Sequence, residues 1–517
     1  MRMPDLFYRS TRDSNGRIKS SEAIVRGIAP DGGLYVPEAI PQIDLPSGSL
    51  SRMDYGELAL YVMRKFLTDF TEGELKYCIR EAYDKKFDDP SVTPLVEKDG
   101  TFFLELFHGP TLAFKDVALS MLPHLLRVAA KKIGIDKEVV VLTATSGDTG
   151  KAALESFANV EKTKIIVFYP KDGVSKIQGR QMTTQVGDNT YVAAVEGNFD
   201  GVQREVKNIF TDRIFNGALN RSGYIFSSAN SINIGRLIPQ IVYHLYAYLS
   251  LRRLKKIGEG EKINIVVPTG NFGNILAAYY AKKMGLPVGK LICASNENNV
   301  LYDFINTGVY DKKRKLITTS SPAMDILVSS NLERLLYDIS GSNADIINSL
   351  IGDLNKKGEF KITSEMKDKM ADFYGGFATD KETFETIKYV FYNLNHLIDT
   401  HTAVGYNVYR KYLDDSGDKS KTVIASTASP FKFPGSVVRA IDKKYAGMDE
   451  FSLLEVLAEI SGLKVPNAIK GIGSREILHS TVCGISQMKD VITNILGQRS
   501  GKKVVENINR LESKSKK

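Results

Sequence analysis

One lysine, Lys115, stands in the run HGPTLAFKD (residues 108–116) among Leu112, Ala113, Phe114 and Val117. An amine kept partly out of water loses its proton more easily, because burial disfavours the charged form. The free amine is a nucleophile toward carbonyl carbon. The plainer alternative is a lysine facing out of a helix whose neighbours face in. Three further stretches bear on the choice. In VVPTGNFGNILAA (266–278) a strand ends and a helix begins through Gly270, Asn271, Phe272, Gly273 and Asn274. Glycines there let backbone amides converge and the asparagines add donors, so the loop reads as a phosphate cradle. It lacks the Gly-Lys-Ser/Thr ending of a Walker loop, and its G-x-x-G spacing is not GxGxxG.

In TATSGDTGKAALE (143–155), Ser146, Gly147, Asp148, Thr149 and Gly150 form a tight turn into a helix, a second place for an anion. STASPFKFP (426–434) follows the strand TVIA and leaves the Thr427 hydroxyl free at a strand's carboxyl end. Each stretch alone also fits an ordinary capped turn. Together they suit pyridoxal 5'-phosphate: Lys115 for the Schiff base, GNFGN for the phosphate, SGDTG for an amino-acid carboxylate, and Thr427 for the pyridine nitrogen.

Something must hold these loops at one place. From about residue 96 the chain alternates strand-like and helix-like segments: TFFLELF, a helix over 114–132, the nearly all-apolar EVVVLTAT, GKAALESFA, KIIVFYP, TYVAAV, a long helix over 235–256, INIVVPT, NILAAYYAKKMG, LICAS and KTVIASTAS. Apolar strands alternating with helices predict an α/β fold with open, mostly parallel sheets wrapped by helices, whose ligands lie at the strands' carboxyl ends. The first residues read differently. APDGGLYVP is a turn entering an extended piece, YGELALYVMRKFL is helical, and TEGELKYCIREAY starts with the capping pair Thr71 and Glu74. The expected division is a small N-terminal domain over 1–95, a two-lobed catalytic core over 96–434, and a helical extension over 435–517.

At 517 residues the chain exceeds one simple core, and 43% hydrophobic with 25% charged residues is ordinary for a soluble protein. No apolar run approaches a membrane span, the start lacks a signal peptide's apolar stretch, and three scattered cysteines form no CxxC pair. The expectation is therefore a cytoplasmic protein without membrane or metal. The net charge of +9 is spread over RRLKK, KKRK and the terminal KSKK with no nucleic-acid signature beside them, so no nucleic-acid partner is expected.

The motifs LELFHGPTLAFKD, TSGDTGKAA, NSINIGRLIPQ and PTGNFGN, with the opening YRSTR and APDGGLYVP, together resemble the threonine synthases. These are fold-type II pyridoxal-phosphate enzymes, here in the long form with an N-terminal domain. The resemblance runs through the STASPFKFP loop and implies conversion of O-phospho-L-homoserine and water to L-threonine and phosphate. It implies Lys115 as the Schiff-base lysine, Gly270, Asn271, Phe272, Gly273 and Asn274 around the cofactor phosphate, and Thr427 at the pyridine nitrogen. Relatives often read TAHPAKF where this chain has TASPFKF, so Ser429 replaces a histidine. For the substrate, the candidates are Ser146, Gly147, Asp148 and Thr149 at the carboxylate, and Arg236 with Asn230, Ser231, Asn233 or Lys151 at the leaving phosphate. His108 and Asp116 are expected to hold the loop. The competing readings are a fold-type II dehydratase or β-replacement enzyme, a non-catalytic relative, and a nucleic-acid binder. The expected state is monomer or homodimer.

Overall fold

The computed structural model describes residues 4–44, 50–145 and 147–500. Two sheets dominate it. The larger has the strand order Phe373–Phe377, Val288–Ser295, Ile263–Pro268, Thr422–Ser426, Thr101–Glu105 and Leu95–Lys98, parallel except for the last pair. The smaller is fully parallel, in the order Thr481–Gly484, Thr190–Glu196, Thr163–Pro170, Glu138–Ala144 and Tyr224–Ser227. Strands such as Ile263–Pro268 and Thr163–Pro170 are buried at every position, as continuous apolar runs require when helices cover both faces. The expected α/β architecture is what folds. The loops after Ala144, Ser227, Pro268 and Ser426 line one cavity, so both sheets direct their carboxyl ends to a common place.

The N-terminal segment pairs Tyr8–Ser10 antiparallel with Tyr35–Pro37. Its helix Glu72–Tyr83 starts with the capping box read from sequence: Thr71 Oγ1 accepts from Glu74 N at 3.3 Å and Glu74 Oε2 accepts from Thr71 N at 2.7 Å. Tyr8, Leu58 and Phe66 of this segment share one apolar cluster with Leu237 and Ile241 of the helix Ile234–Arg253.

Three features depart from the sequence pattern. The helix expected over 114–132 is two helices, Lys115–Leu119 and Leu122–Lys132. Pro123, in the first turn of the second, has no N–H to continue the ladder. The strand Phe373–Phe377, sequence FYGGF, has no readable alternation because its glycines answer to packing. A Cβ on Gly376 would lie 2.5 Å from Val408 Cγ1, and one on Gly375 would lie 3.1 Å from Ile305 Cβ. The third lies in the C-terminal stretch expected to be helical. It supplies the strand Thr481–Gly484 to the smaller sheet before the helix Met488–Ser500, whose Met488, Ile492 and Leu496 pack behind that sheet. Cys78, Cys293 and Cys483 are buried free thiols, and no described helix is long and apolar enough to cross a membrane.

Candidate active site

Lys115 opens its helix from a loop stitched to the end of the strand Thr422–Ser426. Leu106 N donates to Ser426 O at 2.9 Å, Phe114 N to Thr427 O at 2.8 Å, and Ser429 N to Leu112 O at 3.0 Å. Leu112 takes a left-handed φ of 62° to make this crossing. Backbone pairing thus sets Lys115 and Thr427 side by side on a cavity of about 580 Å³. Lys115 Nζ lies 3.3 Å from Asp148 Oδ2 with its side chain 11% exposed. Burial holds this amine below the usual lysine value; Asp148 opposes the shift, while the charges of Lys432 and Arg236 add to it. A second lysine shares the carboxylate. Lys432, fully buried, puts Nζ 3.2 Å from Asp148 Oδ1 and donates to Thr111 O at 2.7 Å. Gln178 Nε2 also donates to Asp148 Oδ1, at 2.8 Å. Burial would push Asp148 up, but Lys432, Lys115 and Gln178 outweigh it and hold the carboxyl well below the carboxylate range.

The loop's other two titratable groups are engaged with neighbouring side chains and backbone. Asp116 accepts from Thr111 N at 2.8 Å and from Thr111 Oγ1, and burial pushes its carboxyl up to about 6. Gly109 permits this, because a Cβ there would lie 2.4 Å from Asp116 Cβ. His108 bridges Asp88 at 2.6 Å and Glu105 at 2.9 Å.

The 270–274 loop on the same cavity is shaped by neutral groups. Phe272, at φ 63°, turns the chain into the helix Gly273–Lys283, whose first turn contains no acidic residue. Gly270 passes so close to the 323 peptide that a Cβ would lie 2.6 Å from Ala323 O. The loop's carbonyls are taken from outside: Ser329 Oγ donates to Gly270 O at 2.7 Å, and Asn331 donates to Asn271 O through N at 3.1 Å and Nδ2 at 2.9 Å. The N–H groups at the helix start remain for an anion. Asn274 Oδ1 lies 3.0 Å from His244 Nε2, a ring that burial pulls down to about 4; its neutral form donates here. Asn274 Nδ2 stays buried without a partner. So does Arg236 Nε, although Arg236 is 2% exposed and donates only Nη1 to Ala229 O at 2.8 Å. Burial brings Arg236 down to about 10. It has no carboxylate within ion-pair distance among the described residues. Unpaired buried donors lining a cavity fit an anionic ligand, and beside a depressed lysine they fit a phosphorylated aldehyde.

The cavity brings together Lys115, Asp148, Thr149, Asn230, Arg236, all five residues 270–274 and Thr427. Ser146 lies outside the described residues. Gly147 is behind the wall: it sits at φ 137°, where a Cβ would meet the Gln178 side chain at 2.5 Å, and its N–H goes to Thr145 Oγ1 at 3.0 Å. The Asp148 side chain is committed to two lysines and repels a substrate carboxylate. What this turn can offer one is the helix-start N–H of Asp148 and Thr149. Two candidates for the leaving phosphate fail. Lys151 is turned to Glu155 at 2.8 Å and to Gln185. Asn233 spends its side chain on Ile24 O, Ser228 O and Gly235 N. The sequence reading missed Lys432, though FKF shows the same lysine-among-apolar signal as Lys115. It also missed Gln178, Ser329, Asn331 and the buried pair Asp399 and His401. His401 Nε2 accepts from Ala323 N at 3.2 Å, fixing the peptide against Gly270.

Comparison with known proteins points to one family. The family described as threonine synthase N terminus matches residues 7–83, pyridoxal-phosphate dependent enzyme matches 89–428, and threonine synthase, C-terminal matches 402–473. Threonine synthase of Saccharomyces cerevisiae is 37% identical over 493 residues, covering 88% of this chain and 93% of that protein. Threonine synthase-like 1 of Homo sapiens is 38% identical over 86% of this chain, which spans 61% of that longer protein. A crystal structure of pyridoxal-phosphate-bound threonine synthase from Brucella melitensis superposes with a TM-score of 0.84 at 35% identity, covering 96% of this chain and 100% of that one.

Proposed function

The chain belongs to the threonine synthase family of pyridoxal-phosphate-dependent enzymes, and on that premise we propose that it converts O-phospho-L-homoserine and water to L-threonine and phosphate. Bound pyridoxal phosphate supplies an electron sink for carbanion character at the substrate's α-carbon. The observation that carries the reading is the pairing of a depressed lysine with unpaired, buried anion-binding donors on one cavity.

Gly270 to Asn274 would hold the cofactor phosphate on the acid-free helix start. Thr427 would meet the pyridine nitrogen with a neutral hydroxyl. Unlike a carboxylate, a hydroxyl would not hold that nitrogen protonated. Asp148 and Thr149 N–H would orient the substrate carboxylate. Lys115 Nζ, neutral more readily than an exposed lysine, would carry one proton at a time: it would remove the α-proton and give it up before removing a β-proton, would deliver a proton to the γ-carbon once phosphate has left, and would return one to the α-carbon after water adds at the β-carbon. Asp148 holds that amine in place through Oδ2, and Lys432 keeps Asp148 ionised throughout, so the proton moves on Lys115 and not on its partner. Arg236 and Asn230 would receive the phosphate leaving the γ-carbon, where a desolvated guanidinium stabilises developing charge strongly.

The test is direct. The purified protein supplied with the cofactor should absorb near ~410 nm. It should release inorganic phosphate and threonine from O-phospho-L-homoserine in equal amounts. Keto acid from serine without phosphate release from phosphohomoserine would assign it to the dehydratase-like chemistry instead. Arg236→Gln should raise KM for phosphohomoserine while leaving the visible band in place.

A further inference from the structure

The cradle's carbonyls are held by a strut that begins in the N-terminal segment. Arg334, fully buried near the start of the helix Leu332–Ile339, donates Nε to Tyr35 O at 3.0 Å, Nη2 to Ile232 O and Nη1 to Asn331 Oδ1. Asn331, itself fully buried, then donates to Asn271 O, as described, and to Ser231 Oγ at 3.1 Å. Its neighbour Glu333 is gripped from the same N-terminal segment. Arg12 donates Nε to Oε1 at 3.0 Å and Nη2 to Oε2 at 2.7 Å, and Thr11 Oγ1 also donates to Oε1.

One guanidinium fork therefore touches three segments far apart in sequence: the N-terminal strand, the loop leading to Arg236, and, through Asn331, the 270–274 loop. A planar fork with rigid donors fixes such a junction, whereas a lysine's three donors sit on one rotating nitrogen and set no such plane. The strut's last bonds are to the carbonyl side of the 270–274 loop, which decides where its N–H groups point.

From this we infer that Arg334 and Asn331 are positioning residues through which the N-terminal segment sets the geometry of the 270–274 loop and of the loop leading to Arg236. The inference rests on the assignment of residues 270–274 to the cofactor phosphate. It gives the N-terminal segment a role beyond covering apolar surface: without it, the cradle keeps its sequence and loses its aim.

The experiment uses the holoenzyme and reads the phosphate itself. The 31P resonance of the bound cofactor and the rate at which the visible band is lost on dilution are compared for wild type, Asn331→Ala, Arg334→Lys, Glu333→Gln and Asn274→Ala. Melting temperatures are recorded alongside. Asn331→Ala and Arg334→Lys should shift the resonance and speed cofactor release roughly tenfold or more, the scale on which misplaced binding groups act. Glu333→Gln should act in the same direction, less strongly. A role in folding alone would lower the melting temperature and leave the 31P resonance in place, and that result overturns the inference. If Arg334→Lys does not fold, Asn331→Ala and Glu333→Gln decide. A silent Asn274→Ala removes the cradle assignment and this inference with it. A responsive Asn274→Ala beside a silent Asn331→Ala removes this inference alone.

Discussion

Two helix starts line the cavity, and they are built in opposite ways. The helix Asp148–Phe157 carries an acid in its first turn, and around that acid gather Lys115, Lys432 and Gln178. The helix Gly273–Lys283 carries none, and its loop is shaped by Ser329, Asn331 and the Ala323 peptide, all uncharged. A bare helix N-terminus attracts an anion. One that supplies its own carboxylate has spent part of that attraction: its acid gathers cations, and only its remaining N–H groups are left for an anion. The first wall is thus tuned by charge and can move protons; the second is tuned by shape and can only hold. Substitutions on the charged wall should change protonation, folding free energy or chemistry. Substitutions on the neutral wall should change affinity and little else.

The largest effect belongs to Lys115. Lys115→Ala should abolish the visible band and cut turnover by roughly 10³-fold or more, since both the covalent anchor and the acid–base group are lost. A variant that retains the band would place the reactive amine elsewhere. Next comes Asp148→Asn, which leaves fully buried Lys432 without its anion. A buried pair broken on one side costs ~3–5 kcal/mol. Chemical denaturation should show that loss, and the double variant Asp148→Asn with Lys432→Met should recover part of it. Equal stability of the single variant and the wild type would mean that Lys432 is not charged in the fold. On the other wall, Gly270→Ala forces a Cβ to within 2.6 Å of Ala323 O. The loop must shift, and cofactor affinity should fall by roughly 10–100-fold, with kcat nearly restored at saturating cofactor. A fall in kcat that saturation does not repair would show that the two walls are not separable.

How much of this contrast could be read from the chain follows from the same physics. Continuous apolar runs ending in glycine and hydroxyl residues gave the sheets and the placement of 270–274 and Thr427 at their ends, because periodicity and turn chemistry are local. Lys115 was legible as an amine in apolar company. Lys432 carries an equal signal, but it reaches Asp148 only through the antiparallel stitch of residues 112–114 to 427–429, a pairing between segments more than three hundred residues apart. Lys151 and Asn233 looked as suitable as Arg236 until the fold gave them partners. Whether a polar group is spent or free depends on what lies across the gap, and no spacing along the chain records it. The edge strand FYGGF was hidden for the converse reason: its glycines serve the helices above and below it.

The smallest effect tests the outer edge of the charged wall, where His108 ties the start of the lysine loop to Asp88 and Glu105. Burial pulls this imidazole down, but the two carboxylates outweigh burial and hold it above its ordinary value. A group whose pKa is raised by folding binds its proton more tightly in the folded state. Its contribution is complete below the unfolded value of ~6.5 and is lost as pH rises through the folded one. Asp88 is largely exposed, which screens the pair and limits the effect to ~0.5 kcal/mol. Urea denaturation of wild type and His108→Gln should therefore differ by about that much near pH ~6 and converge toward pH ~9. Gly270→Ala, which alters no titratable atom, should shift stability by the same amount at both ends of that range. A pH-independent gap for His108→Gln would mean that the histidine holds the loop by shape, as the neutral wall does, and the division between the walls would stop at Asp148.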